Sequence, residues 1–208
     1  MSSQASAVET TTEEGALIDG EAGDTGRAMR ADARRNYDRL VAAAKEVFSK
    51  YGGDASMEAI AKEAGVGVGT LYRHFPKRID IVEAVYRTDV DELVETAQAA
   101  VAELEPFTAL EVWLNAFLRY ARSKRTFLNE LREAFEKNPE FRLASRERID
   151  RAADLVLRRA QDAGVVRIDI DGADLMQLMG PMCTNATLSE DQSHRLLAMV
   201  LDGLRRPA

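Results

Sequence analysis

The chain has 208 residues, 46% of them hydrophobic, with one cysteine, two histidines and a formal net charge of -7. That is enough apolar material for one large or two small domains with a real core, and no window approaches the roughly 18 apolar residues of a membrane span. The single cysteine, Cys183, excludes an internal disulfide and fits a reducing compartment.

Residues 1–28 come first, and they are polar, acidic and poor in bulky apolar side chains. Six acids (Glu9, Glu13, Glu14, Asp19, Glu21 and Asp24) and no base fall in residues 1–26. This composition predicts a disordered acidic tail. It lacks the basic start and apolar middle of a signal peptide, which predicts a cytoplasmic protein. From Asp32 to Tyr51 the pattern turns helical, with Leu40, Ala44, Val47, Phe48 and Tyr51 at three- and four-residue steps. Gly52-Gly53 stops that helix. Ser56 is the expected N-cap of the next, "MEAIAKEA", and Gly65 ends it. A short helix over 68–75 follows, with Pro76 as punctuation, then a long one over 77–103. Its apolar positions include Ile81, Val82, Val85, Val90, Leu93, Val94 and Val101. Beyond Pro106, helices are expected over 108–122, 126–136, 140–163, 172–184 and 190–205. "VVRIDI" alternates like a strand, but it has no partner strand and reads as a loop. The fold class is therefore all-α, about nine helices, divided into a tail (1–28), a small basic head (29–76) and a larger helical body (77–208).

The charge is uneven in a way that matters. Residues 27–87 hold 12 Lys and Arg against 8 Asp and Glu, a net +4 in a chain that is otherwise acidic. Within them lies "AKEAGVGVGTLYRHFPKR", residues 61–78. Its spacing suits a helix-turn-helix, in which two short helices cross at a tight turn. Ala61 is small where the helices touch. Gly65 tolerates the positive φ of the turn. Leu71 plugs the second helix onto the first. On a helical wheel Val68, Leu71 and Phe75 share the inward side. Gly69, Thr70, Arg73 and His74 lie opposite, with Tyr72 on the flank. That outward face carries hydrogen-bond donors and no acid. Such a helix fits a major groove about 12 Å wide with its N-terminal residues at base edges. Thr70 and Arg73 are the candidate base readers. Tyr72, His74 and Lys77 are the candidate phosphate contacts, Lys77 beside the free N–H groups that open the long helix. Gly67 and Gly69 let the backbone approach closely. Arg34, with Arg27, Arg30 and Arg35, adds further backbone contacts or reaches a minor groove from a flexible arm.

At this point the sequence resembles the TetR family of one-component bacterial regulators. "MEAIAKEAGVGVGTLYRHFPKR" is similar to that family's DNA-binding signature along its whole length, and "LDGLR" at 201–205 resembles a common ending of its members. One departure is Gly67, where the family often has a Ser capping the recognition helix, so a hydroxyl contact to phosphate does not carry over. The resemblance implies a homodimer and a palindromic double-stranded operator, usually bound to repress. It also implies a small-molecule effector held in the C-terminal helices, whose binding changes the separation of two reading heads.

Aromatic stripes in the body are candidates for the pocket walls or for plain core. They are Trp113, Phe117 and Tyr120, then Phe127 and Phe135 with Leu128 and Leu131. "DLMQLMGPMCTNAT" adds Met176, Met179, Met182 and Cys183 around a Gly180-Pro181 break, with core, pocket floor and dimer surface all open as readings. The resemblance places the dimer interface on the last two long helices, making Leu196, Leu197, Met199, Val200 and Leu204 candidates alongside their reading as core. His74 and His194 lie far apart in sequence, and with one cysteine no metal site or other cofactor is expected. An enzyme would need a Ser/His/Asp or Cys/His set, a glycine-rich phosphate loop after a strand, or a metal cluster, none of which the sequence offers. A helical interaction module that has lost DNA binding is the other class, and the intact basic face of 67–77 argues against it.

Overall fold

A computed structural model describes residues 21–185 and 187–206, at 21–29 and 182–184 by their backbone alone. Two units make up the chain, Met1–Asn36 and Tyr37–Ala208. Among the described residues there are nine α-helices and no strand: α1 (Glu21–Tyr51), α2 (Met57–Glu63), α3 (Val68–His74), α4 (Arg78–Glu103), α5 (Pro106–Arg125), α6 (Leu128–Lys137), α7 (Pro139–Asp162), α8 (Gly172–Thr184) and α9 (Glu190–Leu204). The expected elements all occur, shifted by a few residues at their ends. The largest difference is at the start. Residues 21–28, assigned from composition to the tail, belong to α1. The rest of the expected tail, residues 1–20, lies outside the described residues. "VVRIDI" is a loop as read, pinned by one isolated bridge between Val166 and Arg205.

In the second unit, α1 buries Leu40, Ala44, Val47 and Phe48, whereas Tyr51, counted on the same face, is 59% exposed where the helix runs out. Ser56 caps α2, its hydroxyl accepting from the Ala59 N–H at 3.1 Å. α2 ends in a paired closing motif: the Val66 N–H donates to the Ala61 carbonyl at 3.0 Å and the Gly65 N–H to the Lys62 carbonyl at 3.1 Å. Gly65 takes φ +64° to make that possible. No heavy atom stands near where its Cβ would be, so the constraint is backbone conformation alone. Gly65→Ala is therefore expected to cost about 1–2 kcal/mol, read as a drop in the thermal midpoint. A variant as stable as the parent would show that the turn tolerates a side chain.

The body is built on α4, which packs against α5, α6 and α7; α7 and α5 in turn meet α8, and α9 lies on α5. Ile81, Val82, Val85, Val90 and Leu93 of α4 are all buried, facing Trp113 and Leu114 of α5 and Val156 and Leu157 of α7 in one continuous core. Residues 57–75 of the helix-turn-helix join the same core through Ile60, Ala61, Leu71 and Phe75. α3 is thereby seated on the body, not hung from it.

Candidate nucleic-acid interface

α3 starts from Gly67, whose carbonyl accepts from the Thr70 and Leu71 N–H groups at 2.9 and 3.2 Å with no side-chain cap. Leu71 is fully buried and Phe75 nearly so, as the wheel requires. Gly67, Gly69, Tyr72 and Arg73 are exposed, Thr70 is half-buried, and nothing lies within 4 Å of either glycine's open side. The outward face is thus a bare backbone strip flanked by a hydroxyl, a phenol and a guanidinium. Among the described residues the Arg73 side chain has no hydrogen bond or ion pair. His74 is less available than its wheel position suggests, being half-buried with its ring edge-on to Tyr37 at 6.3 Å between centroids.

Val68 departs from expectation. The wheel puts it inward with Leu71, but it is 39% exposed. The wheel gives its angle and not its height: as the first residue of α3 it stands one turn nearer the tip than Leu71. With Tyr72 four residues on, it adds an apolar spot to the outward face, a surface suited to a thymine methyl. The signal that could have found it is the glycine before it, which leaves the helix start without a cap side chain.

Lys77 is exposed and forms the N-cap of α4. Its N–H already donates to the Asp80 carboxylate at 2.8 Å, so one of the donors open to an incoming phosphate is taken. Its ammonium remains the group suited to that contact. Arg34 lies in the first unit, where it is exposed on α1 beside the Arg35–Asp32 ion pair.

Two polar clusters fasten this head to the body, and neither was legible beforehand. Arg78, the first residue of α4, donates to the carbonyls of Ala55 and Gly53 and to Glu130 of α6, the last two at 3.2 and 3.0 Å. Its guanidinium also lies 5.1 Å from the centre of the Phe48 ring of α1. Lys45 of α1 pairs with Asp89 and Glu92 of α4 at 2.7 Å each, and the Ser123 hydroxyl of α5 donates to Asp89 at 3.3 Å. Burial pushes the Asp89 carboxyl up against the pull of Lys45. For Lys45, burial works downward but is outweighed by its hydrogen bonds to Asp89 and Glu92, which hold its pKa up. A carboxyl raised in the folded state favours folding at low pH, and that contribution is lost as pH rises through its folded pKa. Lys45→Met leaves Asp89 buried without its main partner. The expected cost is roughly 2–3 kcal/mol at neutral pH, shrinking as the pH falls and Asp89 takes up a proton. Denaturant unfolding at several pH values checks this; a loss independent of pH would remove Asp89 from the explanation.

Behind the head, α4 to α8 enclose a cavity of about 630 Å³. Phe117, Tyr120, Phe135 and Met176 line it, with Tyr86, Leu128 and Ile149. Three other candidates do not. Trp113 is fully buried, donates to the Leu93 carbonyl at 3.2 Å and stacks on Phe117. Phe127 packs into the core against Phe48, and Met179 is fully buried without reaching the lining. Helical spacing gives the side of the helix but not which inward residues border a void. Met182 and Cys183 lie among the side chains not described.

On α9, Leu197 and Leu204 belong to the protomer's own core. Leu196 and Val200 are half-buried and Met199 is 69% exposed. With Leu178 of α8, 54% exposed, they line an apolar groove. Leu204 lines that groove as well, so of the five candidates Leu197 alone lies away from it. Among the described residues no three His, Cys, Asp or Glu side chains converge as metal ligands, and no helix is long and apolar enough to cross a membrane.

A short reading helix packed on a helical body with an internal cavity defines a helix-turn-helix transcriptional regulator. Residues 40–85 match the profile of bacterial regulatory proteins of the tetR family, and residues 105–206 match the C-terminal domain of SbtR-like transcriptional regulators. A TetR transcriptional regulator of Streptomyces coelicolor is 39% identical, with TM-score 0.73, over 83% of this chain and 99% of its own. One from Mycobacterium vanbaalenii is 31% identical, with TM-score 0.70, over 86% and 99%. An HTH-type transcriptional regulator of Staphylococcus aureus is 44% identical over 64 residues, which is 30% of this chain and only 35% of that relative's length. The chain belongs to the TetR family of transcriptional regulators.

Proposed function

We propose that this regulator is a repressor that binds a palindromic operator as a homodimer and is released by a small molecule. The observation that carries the reading is the acid-free, exposed face of α3 in the same chain as a lined cavity, with Arg78 joining the loop before α2 to α6 at the cavity's edge. Residues 29–76 serve as the reading head and 77–208 as the effector and dimer body. Arg73 and Thr70 read base edges, Val68 meets a thymine methyl, and Tyr72, Lys77 and Arg34 hold phosphates. Gly67 and Gly69 bring the backbone to the groove, with His74 in support from its seat against Tyr37. Two subunits pair through Leu196, Met199, Val200 and Leu178. Paired heads must sit about 34–36 Å apart, or at a multiple, to meet successive half-sites. A shift of a few ångströms in α4 therefore breaks the match. The protein works in the cytoplasm, by binding and not by catalysis, and without a metal or cofactor.

The test is a mobility shift on the DNA flanking the protein's own gene, at two salt concentrations, with random duplex as competitor. Tight, competitor-resistant binding that weakens with salt supports the reading, because Lys and Arg contacts to phosphate release counterions. Binding no better than to random duplex there and in a genome-wide DNA selection would overturn it.

A further inference from the structure

The α4–α8 cavity has a lopsided lining. Its floor is aromatic and apolar: Tyr86, Phe117, Phe135 and Met176. Its charged residues are Lys124, Arg125, Arg142 and Arg146, and among the described lining residues there is no Asp or Glu. These cations are not equivalent. Arg146 is held in a two-pronged pair with Asp150, 2.9 Å to each oxygen, and Arg125 donates to the Asn185 carbonyl at 2.7 Å. The Lys124 ammonium stands over the rings of Tyr86 and Phe135, at 5.7 and 5.8 Å from their centres. Arg142 has no side-chain hydrogen bond or ion pair among the described residues. Tyr86 accepts a hydrogen bond from Tyr120 at 3.0 Å, and burial pushes its phenol up, so it meets a ligand as a neutral donor.

A neutral apolar ligand entering this space would strip water from the cations and return nothing to them, which is costly. A ligand with a charged end would replace that water with charge-assisted bonds. The volume lies within the range of small-molecule sites.

Building on the effector reading above, we propose that the cavity takes an anionic amphiphile: an apolar body seated on Tyr86, Phe117 and Phe135, with one carboxylate-like head on Arg142. The anion is selected by the cationic rim, and the tail is accepted for its apolar surface alone.

The test uses N-phenyl-1-naphthylamine, an uncharged fluorescent probe, bound to the full-length protein. Trp113, the only tryptophan, stacks on the cavity-lining Phe117 at 5.7 Å and reports occupancy by its quenching. Sodium decanoate and decan-1-ol, which share a tail length, are then titrated as displacers. Decanoate is expected to displace the probe at concentrations about tenfold lower than decanol, the scale of a charged hydrogen bond. Arg142→Gln should erase most of that preference while leaving probe affinity and decanol displacement unchanged. Equal displacement by the two compounds, or a preference that survives the substitution, would overturn the anionic assignment and leave an apolar effector site standing. A probe that neither binds nor quenches Trp113 would overturn the cavity as an effector site, and the charge assignment with it. Arg142 is exposed at the rim, so its substitution leaves the core intact and keeps the test independent of folding.

Discussion

Arg73→Ala is expected to weaken binding to the operator by about 10–100-fold, the value of one good base contact, while binding to random duplex falls far less. Three features of the site set this expectation. Arg73 is exposed, it sits on the outward face of α3, and among the described residues no partner holds it back. The neighbouring cation makes the control. Lys77→Ala should weaken all sequences alike and reduce the slope of log affinity against log salt by about 1. The two variants thus separate reading from holding with one assay. Arg73→Ala losing equally on operator and random DNA would return Arg73 to the phosphate contacts. Lys77→Ala altering sequence preference would move Lys77 the other way.

The parts of this molecule that were legible in its sequence are those set by local chemistry. Helix ends follow Gly52, Ser56, Gly65 and Pro106, each of which acts on its own few residues. The helix-turn-helix is legible because Ala61, Gly65 and Leu71 fix one crossing within eleven residues, and the structure seats them as the spacing requires. The start of α1 was not, since composition describes residues 21–28 as tail while the helix extends back through them. Legibility fails further wherever a residue's role depends on height or on distant chain. Val68 has the right angle for the core and the wrong height. Trp113 and Phe117 lie one turn apart on one stripe, yet only Phe117 borders the cavity. Leu197 and Leu196 are adjacent, yet only Leu197 is fully claimed by the core. The charged lining of the cavity escaped entirely, because Lys124, Arg142 and Arg146 read as ordinary solvated helix cations until α5 and α7 are brought together.

Arg78 is the extreme case of that dependence on distant chain, and it carries the largest expected effect on stability. In sequence it is one more base at the edge of the signature. In the fold its guanidinium is spent internally on two carbonyls of the 53–55 loop, on Glu130 of α6 and on the face of Phe48. Its side chain is 27% exposed and that of Glu130 21%, so both charges are partly withdrawn from water. Removing the arginine leaves three acceptors unpaired at once. Arg78→Ala should therefore cost roughly 3 kcal/mol, measured by denaturant unfolding. Glu130→Gln keeps a polar partner for Arg78 and should cost about 1 kcal/mol or less. The two also differ in where they loosen the protein. Because Arg78 closes the loop that launches α2, hydrogen exchange in residues 56–75 should accelerate in Arg78→Ala before the rest of the chain opens, and stay near the parent rate in Glu130→Gln. Equal losses in the two variants would reduce Arg78 to a simple ion pair. Faster exchange spread evenly over the chain would mean that Arg78 holds up the whole body and gives the reading head no latch of its own.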